Sequence, residues 1–148
     1  MTDQSFSTAI VVAATPKQVF NAVINVRGWW SQNITGGTEY LGDEFTYKIK
    51  ELHRCTIKLT EVIPNKKVVW EVLDNYFSFA TDQSEWVGSK PTFEISPKGS
   101  LTELRFTHEG LAPDHECFDI CQNAWTGYIS GSLRNLILMG EGQPNAKE

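Results

Sequence analysis

Apolar side chains in this chain follow two different periods, and the switch between them narrows the possible folds. Five runs between Glu44 and Glu109 alternate. Phe45, Tyr47 and Ile49 share one face of the first run, and Cys55, Ile57, Leu59, Glu61 and Ile63 one face of the second. Val68, Trp70, Val72 and Asp74 share a face of the third. Phe93 and Ile95, then Leu104, Phe106 and His108, repeat the pattern in a hairpin across Pro97-Lys98-Gly99. Period two with one apolar face predicts an antiparallel meander with one buried and one wet side. From Glu116 the period becomes three and four: Phe118, Ile120, Cys121, Ala124, Trp125, Tyr128, Ile129, Leu133, Leu136 and Ile137. That predicts one helix from Glu116 to Met139, about 36 Å long at 1.5 Å per residue, started by Pro113-Asp114 and ended by Gly140.

Ahead of the meander, Phe6 to Val12 reads as a strand. Thr15-Pro16 is a helix start, with Thr15 as cap and Val19, Phe20, Val23 and Ile24 as the apolar face. A second short helix is expected over Asn25 to Ser31, and a loop over Asn75 to Gly88. Strands that run together with helices set apart indicate an α+β fold. The expected architecture is a curved antiparallel sheet of six to seven strands wrapped around a long C-terminal helix. At 148 residues, with no linker or repeat, the chain is expected to be one domain over 1–148.

A net charge of −5 argues against nucleic acid as a partner, and the longest apolar run, Ala9 to Ala14, is too short for a membrane span. No cationic leader precedes the first strand, and the three cysteines are an odd number. Both point to a cytoplasmic protein with reduced thiols.

Four runs carry a resemblance: Phe93-Glu94-Ile95-Ser96, Leu104 to Leu111 (LRFTHEGL), Glu116-Cys117-Phe118-Asp119 and Trp125-Thr126-Gly127-Tyr128. With the element order, they resemble the START-like, or SRPBCC, superfamily, which implies the helix-grip fold. Within it they are similar to the branch named for the C-terminal domain of the activator of the heat-shock-protein-90 ATPase. The resemblance implies a pocket between sheet and C-terminal helix. Members bind lipids, hormones or polyketides, and some are cyclases or hydrolases. It supplies no catalytic motif.

The pocket is expected between the first half of the long helix and the strands carrying Tyr47, Ile57, Trp70 and Phe106. Cys121, Trp125 and Tyr128 line it from the helix and His108 supplies one polar group. Aromatic walls with a few convergent polar groups are what a small-molecule cavity uses, and a core uses the same aromatics. The second half of the helix, richer in Leu and Ile, is expected to close the core. His108 is either a hydrogen-bonded core histidine or the polar end of the pocket. Asp74 and His53 are in phase to face inward, or are wet at frayed strand ends. Adjacent helical positions lie about 100° apart, so one of Trp29 and Trp30 is expected to be exposed, at the cavity mouth or at a partner surface.

Zinc would need ligands from His108, Glu109, His115, Cys117, Asp119 and Cys121. No paired CxxC spacing is present, so no metal is assigned and the cysteines read as apolar fillers. No phosphate loop and no GxSxG elbow occur, so no cofactor and no catalytic residue are assigned.

The function expected is noncatalytic binding of a hydrophobic small molecule, apolar or aromatic. One alternative is a co-chaperone-like interaction domain or homodimer, which would expose an apolar patch around Trp29 or Trp30. The other is a cyclase- or hydrolase-type enzyme using the same cavity, which would need two titratable groups within hydrogen-bond reach.

Overall fold

A computed structural model describes residues 5–50, 53–78, 87–110 and 118–145, and the side chains of residues 5 and 118–120 are not described. Strand β1 (Ser5–Val12) leads to helices α1 (Pro16–Ile24) and α2 (Val26–Trp29). Six strands come next: β2 (Ile34–Gly36), β3 (Glu44–Ile49), β4 (His53–Ile63), β5 (Lys67–Phe77), β6 (Lys90–Lys98) and β7 (Leu101–Glu109). The C-terminal helix comprises α3 (Phe118–Gly127), a π-helical segment (Tyr128–Leu133) and α4 (Arg134–Met139). The seven strands form one antiparallel sheet in the order β1-β7-β6-β5-β4-β3-β2. This is the expected α+β helix-grip architecture, and none of the described helices is long and apolar enough to cross a membrane.

Local chemistry accounts for the first helix. Thr15 Oγ1 accepts from the Gln18 amide at 3.1 Å, and the Gln18 side chain accepts from the Thr15 amide at 2.8 Å. This capping box satisfies two of the amides a helix start leaves orphaned. Pro16 occupies the first turn, where its missing N–H costs nothing.

Two bulges reset the alternation in the sheet. Leu59 pairs with Trp70 but Glu61 with Val69, so Thr60 is an extra residue. Beyond it Val62 turns toward the core and Ile63 is exposed, the reverse of the expected phase. Thr56 pairs with Asp74 but Ile57 with Val72, so Leu73 is an extra residue on β5. Asp74 is therefore exposed, and Asn75 and Phe77 face inward in its place. β5 also continues to Phe77, through positions expected to be loop.

The long helix differs from expectation in two ways. Its described part begins at Phe118, and the expected start at Pro113 to Cys117 lies outside the described residues. Its middle is π-helical, with Ile129, Ser132 and Leu133 buried together. Trp125, Ile129 and Leu133 face the sheet as the apolar period requires. The wider turn shifts the phase of the turns C-terminal to it, and no residue of α4 is fully buried. The tight closure expected of the second half thus belongs to the π segment. Gly140, at φ 78°, ends the helix in the left-handed conformation that suits glycine.

Trp29 and Trp30 are both inside, 0% and 2% exposed, which corrects the expectation that one reaches the surface. The helix that ends at Trp29 is four residues long, Trp30 follows it directly, and both are covered on two sides. Ser132 Oγ donates to the Trp29 carbonyl at 2.7 Å, the Asn145 amide to the Trp30 carbonyl at 2.9 Å, and the Gln32 amide to the Asn145 carbonyl at 2.9 Å. A Cβ on Gly142 would sit 2.4 Å from the Gly28 carbonyl oxygen, so only glycine admits this approach. The segment after α4 is the second cover.

Candidate functional site

Antiparallel order brings one end of every inner strand together. The end of β3, the start of β4 and the end of β5 align as the row Tyr47–Cys55–Asn75. The residue before β6, Ser89, and the end of β7, His108, meet beside it, with Ser89 Oγ 2.8 Å from His108 Nε2. The opposite end of the inner face, at Leu59, Val68, Ile95 and Leu104, is apolar but for Thr102, whose hydroxyl donates to the Ala14 carbonyl at 2.6 Å. Most polar side chains of the inner sheet face are therefore gathered at the other end, under the first half of the C-terminal helix.

His108 lies there, fully buried. Trp125 Nε1 donates to His108 Nδ1 at 3.0 Å. An indole N–H only donates, so Nδ1 is the acceptor and the ring proton sits on Nε2, pointing at Ser89 Oγ. With Nδ1 taken by Trp125, His108 has no lone pair to offer Ser89. The pair is a fixed link between strand and helix rather than a nucleophile with its base.

The other polar cluster surrounds Asn75. His53 Nε2 lies 2.8 Å from Asn75 Oδ1, and the His53 ring stacks on Phe77 with centroids 4.3 Å apart. Burial lowers the His53 pKa from 6.5 to about 4, against the opposing effect of the Asn75 hydrogen bond. His53 is thus the neutral partner of a buried amide. Asn75 is 6% exposed, and its Nδ2 has no hydrogen-bond partner among the described residues. Asn145 Nδ2 donates to Tyr128 Oη at 2.8 Å and to Tyr47 Oη at 3.2 Å. Burial, then the neighbouring Tyr128 hydroxyl, keeps the Tyr47 phenol protonated far beyond its ordinary range. Burial, then the Asp74 carboxylate, does the same for the Cys55 thiol.

The residues expected to line a pocket are brought together, around Trp30. Its ring stacks on Tyr47 at 4.2 Å and on Trp70 at 5.7 Å, and lies 5.2 Å from Trp125 and 6.3 Å from Tyr128. Phe106 is 4.5 Å from Trp125, and Ile57 and Cys121 are buried in the same cluster. Trp30, Asn75, Ser89 and Asn145 are members that sequence reasoning missed. Asn75 was hidden by the Leu73 bulge, and Asn145 lies outside any periodic segment. Ser89 falls between the expected loop, Asn75 to Gly88, and the next periodic run.

Of the metal-type side chains near the helix start, His115 and Cys117 lie outside the described residues, as does the side chain of Asp119. Among the described residues no three His, Cys, Asp or Glu side chains gather around one point. Cys55 and Cys121 are both buried, on β4 and on the C-terminal helix.

No curated protein matches the sequence. Solved structures match along most of its length. The solution structure of the Aha1 dimer from Colwellia psychrerythraea superposes with a TM-score of 0.76 at 22% identity, covering 93% of this chain and 98% of that one. Protein MLL2253 from Mesorhizobium loti gives 0.73 at 16%, covering 91% and 96%. CalU16 from Micromonospora echinospora gives 0.63 at 12%, covering 91% and 76%. At such identities the likeness is one of fold. The family model described as Activator of Hsp90 ATPase homolog 1-like protein matches residues 13–137, and the chain belongs to that family.

Proposed function

We propose that the chain binds a small, largely apolar molecule carrying one hydrogen-bond acceptor, and does no chemistry on it. The ligand lies at the polar end of the interior, under the first half of the C-terminal helix. Tyr47, Ile57, Trp70, Phe106, Cys121, Trp125 and Tyr128 are its walls and His108 its polar margin. The observation that carries this is the buried, unpartnered Nδ2 of Asn75. Leaving such a donor unsatisfied costs about 1–3 kcal/mol, and a ligand carbonyl or carboxylate oxygen would recover it. The fixed His108–Trp125 link weighs against hydrolysis by Ser89. Burial of both Trp29 and Trp30 removes the apolar patch that a co-chaperone-like surface was expected to place there. Buried thiols at Cys55 and Cys121 fit a reducing, cytoplasmic setting.

The test is a titration with the hydrophobic probe anilinonaphthalene sulfonate. The parent should bind it and lose tryptophan fluorescence, and Cys121→Phe should fill the space, block the probe and keep its stability. A parent that never binds, with a Cys121→Phe variant destabilised by about 1–3 kcal/mol, would mean solid core.

A second reading concerns assembly. The Colwellia relative is described as a dimer and is covered over 98% of its length, and we propose the same state for this chain.

A further inference from the structure

Strand β1 ends the sheet, and among the described residues its strand partner is β7 alone. Every second residue of an edge strand turns its N–H and C=O away from the sheet. Among the described residues, no backbone group of Ser5 to Val12 is hydrogen-bonded anywhere but to β7. Natural edges are blunted by charge, proline, bulges or brevity. β1 has none of these: its eight residues, SFSTAIVV, carry no charge, proline or glycine, and they pair with β7 residue for residue without a bulge. The other edge is guarded. β2 has three residues and ends in Gly36 at φ 111°. On the outer face of β1 the side chains of Ser7, Ala9 and Val11 are small and exposed, Val11 by 42%. Among the described residues the cation that reaches them is Arg105, which already lies 3.6 Å from Glu103.

We propose that β1 is the interface of a homodimer, formed by antiparallel pairing of two copies of β1 that joins the two sheets edge to edge. This rests on the dimeric state proposed above and adds where the copies meet. An antiparallel strand pair is its own complement under a two-fold axis, so an uncharged, unblunted edge fits a second copy of itself. Opposed residues in such a pair lie on the same face. The axis must therefore pass through a residue, and Thr8 or Ala9 gives the greatest overlap. With either, seven residues of each β1 are paired, 5–11 or 6–12. Ala9 then either sits on the axis, facing its own copy, or one position from it, facing Ser7 of the copy, in both cases on the outer face.

The experiment is sedimentation velocity of the full chain over roughly a hundredfold range of concentration, with hydrogen exchange of the β1 amides at both ends of the range. The expected result is a dimer whose β1 amides gain protection as it forms. Ala9→Lys places like charges across the pair on an exposed position and should weaken the dimer about tenfold or more. Leu73→Lys, on the exposed surface of β5, should leave it unchanged. A chain that stays monomeric throughout overturns both the dimer and the interface. A dimer that resists Ala9→Lys, or whose β1 amides exchange at monomer rates, keeps the dimer and overturns β1 as its site. Should Ala9→Lys fail to fold, the amide protection of the parent alone decides. Pairing of β1 with a peptide of another protein, and not with itself, would likewise overturn it.

Discussion

One surplus residue, Leu73, decides which polar side chain reaches the interior. By making Thr56 face Asp74 and Ile57 face Val72, it turns an amide inward where strict alternation puts a carboxylate. A neutral amide can be buried against His53, whereas a carboxylate there would need a cation to pair with. His53 takes the matching form, since burial holds its pKa near 4 against 6.5 in the open chain. Between those values the unfolded chain binds the proton and the folded one does not, so stability falls as pH drops. The loss should be about 2 kcal/mol between pH 7 and about pH 5. Urea unfolding of His53→Gln should show a pH dependence smaller by that amount, and an identical slope would mean His53 is solvated. The inward residues of β3, β7 and the first half of β4 were legible from alternation alone: Tyr47, Ile57, Phe106 and His108 all point where period two puts them. Asn75 was not, because an extra residue leaves no mark on composition.

Among the elements, the C-terminal helix carries the largest correction. Apolar recurrence identified the face through Trp125, Ile129 and Leu133, and that face is buried. It did not reveal the π segment, because αR dihedrals and apolar spacing are compatible with either bonding pattern. The segment coincides with the seat of Ser132, whose Oγ donates to the Trp29 carbonyl and accepts from the Gln143 amide, each at 2.7 Å. The consequence is a difference between two leucines that period alone makes equivalent. Leu133 is fully buried and Leu136 only partly. Leu133→Asp should cost about 3 kcal/mol or more, and Leu136→Asp no more than about half of that. Thermal melts of the two variants side by side check this, and equal losses would mean the helix keeps one phase throughout.

Over the whole molecule, the interior divides into an apolar end that holds the fold and a polar end that can recognise something. The apolar end needs no ligand to explain it. At the polar end sit His108, Ser89, His53 and Asn75, with the Asn145 amide between two tyrosine hydroxyls and one amide nitrogen unsatisfied. The sheet, the helix and their wrap were legible because periods encode them. The aromatic stack around Trp30 was not, because it depends on Gly142 and Asn145 folding back over α2, a long-range contact with no local signature. The most direct test is native mass spectrometry of freshly purified protein beside an Asn75→Leu variant, which keeps the shape and removes the orphaned donor. The account predicts a retained small molecule on the parent, visible as added mass and lost in the folded variant. A parent that carries no molecule and takes up none from a panel of apolar carboxylic acids and ketones would contradict it.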